Sequence, residues 1–295
     1  MDLASFIGII MGIGCLCLGY TLDGGSLGAL WLFSAALIVF GGALGSVAIS
    51  FGVKELATMP KNIINTFIPP KSTISKTVDY IVTLSEVARK EGLLSIEKII
   101  DDNNAKEKPD PLLQQGMMMV IDGVDLEQTR EMMETQIYVY EEQAKNEIAP
   151  FEAYAGYAPT YGMIGTIMGL IKVLSNLDSP EEMTASIAVA FTATLYGIAS
   201  ANIIALPIAN KLKLRLQQQL LEKEMIVEGV CSIRNGMNPK MLRDKLSIYI
   251  AKDAKAKKGS FAREGASSRK RSAKQQCVSA IKKAKKKKII PIAGF

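Results

Sequence analysis

Met183-Thr-Ala-Ser-Ile-Ala-Val-Ala-Phe-Thr-Ala-Thr-Leu-Tyr-Gly-Ile-Ala-Ser-Ala-Asn-Ile-Ile-Ala-Leu-Pro-Ile-Ala-Asn210 contains no charged side chain. At 1.5 Å per helical residue it is longer than the ~30 Å hydrocarbon core of a bilayer. Three more gaps in charge lie upstream: Leu3 to Leu22, Gly24 to Val53 and Ala153 to Ile171. Each reaches or nearly reaches the roughly 20 residues that a crossing helix needs. The first does not read as a cleaved signal peptide, because its only early charge is Asp2 and a second gap follows at once. The reading is an all-α integral membrane protein with four transmembrane helices.

Composition agrees. The chain has 295 residues, 48% hydrophobic, 6% aromatic and 22% charged, with mean hydropathy +0.18. Charge is missing from whole segments and crowded into others, whereas a soluble domain spreads it over its length. Lys and Arg number 35 against 29 Asp and Glu, a net charge of +6. Histidine is absent, which removes the commonest general acid/base and every Ser-His or Cys-His nucleophile pair. No Gly-x-x-x-x-Gly-Lys phosphate loop occurs either. These absences, with no carboxylate inside a span, argue against an intramembrane enzyme. Cys15 and Cys17 stand i, i+2 in an apolar run and Cys231 and Cys277 stand alone. All four read as small buried apolar residues rather than a zinc or disulfide framework.

Basic residues set the orientation. Residues 51–150 hold 11 Lys and Arg, residues 208–295 hold 23, and Lys172 is the remaining one. The short connections around Asp23 and Asp178-Ser-Pro-Glu-Glu182 are acidic. The positive-inside rule then puts both termini and the central segment in the cytoplasm. Five segments follow: transmembrane helices 1 and 2 over 1–53, a cytoplasmic helical hairpin over 54–150, transmembrane helices 3 and 4 over 151–210, cytoplasmic helices over 211–251, and a basic tail over 252–295.

The central segment carries 17 acidic and 11 basic residues and lacks alternating strand patterns. A first amphipathic helix opens after Pro69-Pro70 at Lys71-Ser72-Thr73, with apolar positions at Ile74, Val78, Ile81, Val82, Leu84 and Val87. Asp101 to Pro111 reads as the turn. A second helix runs from Leu112 through Met132 to Tyr140 and can continue into the third span. Beyond Pro207 a helix passes Met225, and Asn238-Pro239 starts a short one to about Ile250. The tail is rich in Lys, Arg, Ala and Ser and reads as disordered. Such a tail beside a membrane lies on anionic headgroups; no aromatic interleaving supports nucleic-acid binding.

Inside the spans the informative feature is an absence: no Asp, Glu or Arg. Ion relays across a bilayer use an ionisable group, usually a carboxylate. If this chain moves ions, another polypeptide supplies that group. The spans do offer hydroxyls, at Thr160, Thr166, Thr184, Ser186, Thr192, Thr194 and Ser200, although most membrane Ser and Thr bond back to their own helix. Pro159 and Pro207 sit at span borders, as helix ends or as hinges. Gly8 and Gly12, Gly41 and Gly45, and Gly162, Gly165 and Gly169 allow close helix approach.

Ala158-Pro-Thr-Tyr-Gly-Met-Ile-Gly-Thr-Ile-Met-Gly-Leu-Ile171, with Ile187-Ala-Val-Ala-Phe-Thr-Ala-Thr-Leu-Tyr-Gly197 and Pro207-Ile-Ala-Asn-Lys-Leu212, resembles the A subunit of the flagellar motor stator, the MotA/PomA family, more distantly related to ExbB and TolQ. Met1-Asp-Leu-Ala4, Val39-Phe-Gly-Gly-Ala43 and Ala88-Arg-Lys-Glu-Gly-Leu-Leu-Ser-Ile-Glu97 extend the likeness over residues 1–250; the tail falls outside it.

The resemblance implies a homopentameric ring around two copies of a single-span B subunit (MotB or PomB type) whose aspartate binds the ion. It implies a place in the bacterial inner membrane and no cofactor beyond the transported H+ or Na+. Pro159 and Pro207 would flank the ion path, and Thr194 would face the aspartate. Thr166 matches a position that is threonine in sodium-type stators. Arg89 and Glu97, with Lys90 helping, match the charges that engage the rotor switch protein of FliG type. A spacing of eight would set Arg89 and Glu97 on one charged face of a single helix. The alternative is an ExbB/TolQ-type energiser of an envelope protein, which has three spans. The helical pair Leu3–Val53 argues against it.

Overall fold

A computed structural model describes residues 3–68, 74–100, 110–175 and 179–251. Expectations for Pro69-Pro70, for the helix start at Lys71-Ser72-Thr73, for the turn over 101–109, for Cys277 and for the basic tail 252–295 lie outside the described residues. Among the described residues the regular structure is all helix, with no strand. The order is α1 (Leu3–Leu22), a 3-10 turn (Leu27–Leu30), α2 (Phe33–Ala36), a π-turn (Leu37–Gly41), α3 (Gly42–Phe67), α4 (Ile74–Glu91), α5 (Ser95–Ile100), α6 (Pro111–Ile121), α7 (Leu126–Ser175), α8 (Pro180–Ala199), a second π-turn (Ser200–Ala205) and α9 (Leu206–Arg234). A last helix, α10, covers residues 239–251. Two compact units result: Met1–Thr73 with Val124–Val227, and Ile74–Gly123 with Glu228–Phe295.

The first unit is built on α7, 50 residues long, which at 1.5 Å each is about 75 Å. Asp125 starts it: its carboxylate accepts the Glu127 N–H at 3.1 Å, and its carbonyl accepts the Thr129 N–H at 2.9 Å. The helix is charged through Glu152 and uncharged from Ala153 to Ile171, so the expected continuation into the third apolar stretch holds. Leu27–Val53 and Pro180–Arg234 are long and apolar enough to cross a membrane, and Ile7–Leu22 is a shorter apolar helix. Gly52, at φ +84°, kinks α3 next to Val53, where the second uncharged stretch ends. A side chain would be strained there.

Packing in this unit is inverted relative to a water-soluble bundle. Large apolar side chains face outward, with Ile49 89% and Phe191 69% exposed, while the α7–α8 seam is built of Gly, Ala and Ser. That arrangement suits lipid, where small residues let backbones approach and large ones meet acyl chains. Along the α7–α8 seam, Gly162 faces the Ala193 carbonyl, Gly169 the Ser186 carbonyl and Gly197 the Ala158 carbonyl. A larger cluster joins α3, α7, the second π-turn and α9 through Ala43, Val47, Phe151, Ala158, Ala205, Ile208 and Ala209. The Arg215 guanidinium donates to the carbonyls of Asn65, Thr66 and Ile68, satisfying the orphan acceptors at the end of α3.

The second unit buries the expected stripe of α4: Ile74, Val78, Ile81, Val82 and Leu84. Ile96, Leu113, Met117, Val230, Leu242 and Leu246 are buried with them. Asp110 caps α6 by accepting the Leu112 N–H at 2.8 Å, with Pro111 at the first helical position, where no donor is needed. Asn238 caps α10 through Lys240 N–H at 3.0 Å.

Three expectations need correction. The second amphipathic helix is not continuous: α6 ends at Ile121, and Asp122-Gly123, with Gly123 at φ +78°, turns the chain before α7. Among the described residues the central segment therefore holds the end of α3, the separate helices α4, α5 and α6, and the first half of α7, not a two-helix hairpin. Arg89 and Glu97 do not share a helix. Gly92, at φ +90°, ends α4, and the Ser95 hydroxyl donates to the Gly92 carbonyl at 2.6 Å, so Glu97 lies in a new helix, α5. Finally, Cys15 is exposed on α1 and Cys17 only half-buried, while Cys231 is buried as expected. The outer face of an apolar helix has lipid as solvent, and a thiol suits it as well as a core.

Candidate functional site

Of the seven serine and threonine hydroxyls in the third and fourth apolar stretches, four take the ordinary course. Thr160, Thr184, Ser186 and Ser200 donate to the carbonyls of Tyr157, Pro180, Glu182 and Gly197 on their own helices. Thr192 is buried. Thr166 and Thr194 differ. Their hydroxyls are hydrogen-bonded to each other across the α7–α8 seam.

The close helix approach makes this pair possible. Gly162 and Gly165, a turn or less before Thr166, lie against Ala193 and Thr194. Two carbonyls complete the cluster. Thr166 Oγ1 lies 3.1 Å from the Gly162 oxygen and 3.2 Å from the Ala190 oxygen. Thr194 Oγ1 lies 3.4 Å from the Ala190 oxygen and 3.5 Å from that of Gly162. Four oxygens thus share two hydroxyl protons. Each hydroxyl also has two lone pairs, so the cluster has spare capacity to accept a hydrogen bond or to face a cation. Both threonines are half-buried.

Pro159 lies inside α7 and not at its end, seven residues before Thr166 and so on the same stripe of the helix. It has no N–H for the Ala155 carbonyl, which an unbroken helix would pair. Pro207 is the second residue of α9 and is exposed. The π-turn Ser200–Ala205 just before it widens the helix where the missing N–H would otherwise leave a gap. The Asn202 side chain fills part of the turn by donating to the Ile198 carbonyl at 2.9 Å. Pro207 lies about 19 Å along the helix axis from Thr194 and is not part of the threonine cluster. Both prolines are therefore interior helix features.

Arg89 and Lys90 lie in the last turn of α4 and Glu97 in the first turn of α5, all exposed. Each charge suits its helix end, since cations favour a C-terminus and anions an N-terminus. The two helices meet at the Gly92 elbow, and the exposed Leu94 stands between the charges.

Sequence reasoning missed Tyr196, whose hydroxyl bonds the Leu30 carbonyl and accepts the Leu32 N–H at 3.4 Å. It satisfies backbone that leaves helical form between α1 and α2. It also missed two tyrosine–serine pairs between α3 and α7. Both sets are i, i+4 spacings in the sequence, Ser46 with Ser50 and Tyr157 with Tyr161, and that spacing was the available signal.

The fold and this cluster define a class: an α-helical membrane protein with long helices that carry a small-residue seam and an oxygen-rich notch in an acid-free apolar region. The profile described as the MotA/TolQ/ExbB proton channel family matches residues 104–225, and that of the Motility protein A N-terminal region matches residues 6–92. Motility protein A of Bacillus subtilis (strain 168) is 36% identical over 255 residues, covering 86% of this chain and 93% of that one. The C. jejuni MotAB structure superposes with a TM-score of 0.77 at 29% identity, covering 84% of this chain and 96% of that one. The flagellar MotAB stator complex from Bacillus subtilis gives 0.75 at 35% identity, covering 83% and 95%. The chain belongs to the Motility protein A family of flagellar motor stator proteins. The match over residues 6–92, to the part described as Motility protein A, favours this family over the ExbB alternative.

Proposed function

We propose that the chain forms the ring of a cation-driven stator around a B-type partner that supplies the titrating aspartate. The single observation that carries this reading is the Thr166–Thr194 cluster, a set of surplus acceptor oxygens in an apolar region where this chain places no acid of its own. A protonated carboxylate or a partly dehydrated cation brought there by a partner meets acceptors already in place. Related solved structures are complexes of MotA with MotB, which supports such a partner. In this reading four helices cross the bacterial inner membrane, with both termini and the α4–α6 region in the cytoplasm. Ion loading and unloading at the partner's acid steps the ring, a homopentamer, around it. Pro159 and Pro207 set the line of the two helices bordering the path. Arg89, Lys90 and Glu97 at the elbow push on the rotor switch protein.

The test is genetic and mechanical. In a strain with no other stator set, deleting this gene should leave flagella assembled but still, and the intact chain should restore rotation. Thr194→Val, which swaps a hydroxyl for a methyl of the same shape, should lower torque at wild-type protein levels by about threefold or more, the scale of one lost hydrogen bond. Wild-type torque in this variant would make Thr194 a packing residue. Swimming speed against external sodium at fixed pH distinguishes H+ from Na+: a rise with sodium identifies Na+, a flat response identifies H+.

A further inference from the structure

Pro159 weakens α7 two turns before Thr166, yet α7 runs through it without a break. What holds the helix there is written on its neighbour. Tyr157 and Tyr161 stand two residues to either side of Pro159 and reach the same face of α3. The Tyr161 hydroxyl is hydrogen-bonded to Ser46 Oγ at 2.7 Å. Tyr157 OH lies 3.2 Å from Ser50 Oγ. Ser50 spends its own proton on the Ser46 carbonyl at 2.8 Å, so Tyr157 is the donor in its pair. Ser46 and Ser50 are one turn apart on the face of α3 that also buries Ala43 and Val47. Gly42, one turn before Ser46, leaves the room that the Tyr161 ring occupies; a Cβ there would collide with the ring.

From this geometry we propose that the two tyrosine–serine pairs form a splint. They tie α7 to one face of α3 on both sides of Pro159, and so fix the direction in which the Thr166 end of α7 points. Tyr157, Tyr161, Ser46 and Ser50 are positioning residues, because none of them touches the threonine cluster. Their effect on the ion site passes through the backbone at Pro159. The proposal rests on the stator reading for its consequence in rotation, but the splint itself is a structural claim that can be read separately.

The experiment uses the full chain assembled with its B-type partner. Two double variants remove the hydroxyl contacts from opposite sides, Tyr157→Phe with Tyr161→Phe and Ser46→Ala with Ser50→Ala. A third, Ser46→Thr with Ser50→Thr, keeps the hydroxyls. Hydrogen exchange of residues 155–163 in the purified complex reads the splint. Exchange there should speed up by about tenfold in the first two variants, while α8 stays as in wild type. In cells, speed near zero load should fall about twofold at unchanged protein level and unchanged stall torque per recruited unit, a split that general loss of folding does not give. The threonine variant should match wild type in both readouts. Unchanged exchange in the phenylalanine and alanine variants overturns the proposal. A threonine variant as impaired as the alanine one also overturns it, since side-chain volume and not the hydroxyl would then matter. If the wild-type complex drives no rotation, the stator reading fails, and the exchange result still decides the splint.

Discussion

Pro159→Leu is expected to reduce motor torque at least about tenfold, to a level where cells stop swimming, while the protein still reaches the membrane and is recruited to motors. Leucine restores an N–H to the Ala155 carbonyl and removes the ring that holds the local backbone open. The added hydrogen bond tightens that turn, and the stripe of α7 from Pro159 to Thr166 shifts from its present line. Because Pro159 is half-buried and the new side chain is flexible, folding should survive. Tethered-cell rotation, with immunoblots and fluorescent counts of recruited units as controls, gives the answer. Wild-type torque in this variant would show that the proline is incidental.

The second large effect concerns the α7–α8 seam. Gly197→Ala places a Cβ 2.5 Å from the Ala158 carbonyl oxygen and 3.1 Å from the Gly162 Cα. Both obstacles are backbone, so no side chain can swing aside. The helices must separate, and overpacking of this kind costs about 1–3 kcal/mol. At roughly 2–4 °C per kcal/mol for a domain of this size, Tm in detergent should fall several degrees. Gly8→Ala is the matched control, since a Cβ at Gly8 meets nothing within 4 Å in this chain and alanine favours the helix. Equal melting of the two variants would mean that the seam is looser than its geometry says. Separation of α7 from α8 also pulls Thr194 from Thr166, so Gly197→Ala should lose torque as well as stability.

How much of this was visible in the sequence depends on the scale of the signal. Charge gaps are long, and they placed the apolar stretches well: Gly52 kinks the chain one residue from the expected end of the second. The buried stripe Ile74 to Leu84 followed from its 3.6-residue period. Pairing Thr166 with Thr194 was not readable from spacing, because it depends on two helices meeting at a particular height. The glycines that allow it were noted, but Gly162 and Gly169 are engaged in this chain while Gly8, Gly41 and Gly45 face open space, and sequence does not separate the two cases. The elbow between Arg89 and Glu97 was legible and missed. Glu91-Gly92 is a stop signal, and a helix wheel drawn across it put both charges on one face. The same holds for Asp122-Gly123, which ends α6 inside what the apolar pattern joined into one helix. In both places the side-chain period continued through a residue whose backbone did not.

The central claim is that this chain houses an ion path without owning its acid. Purified chain alone in liposomes, under a proton or sodium gradient, measures that directly. Flux should stay at the background of empty vesicles, with conduction appearing only when the B-type partner carrying its aspartate is co-reconstituted. Cation flux by the chain alone, at the rate of the co-reconstituted complex, would contradict it.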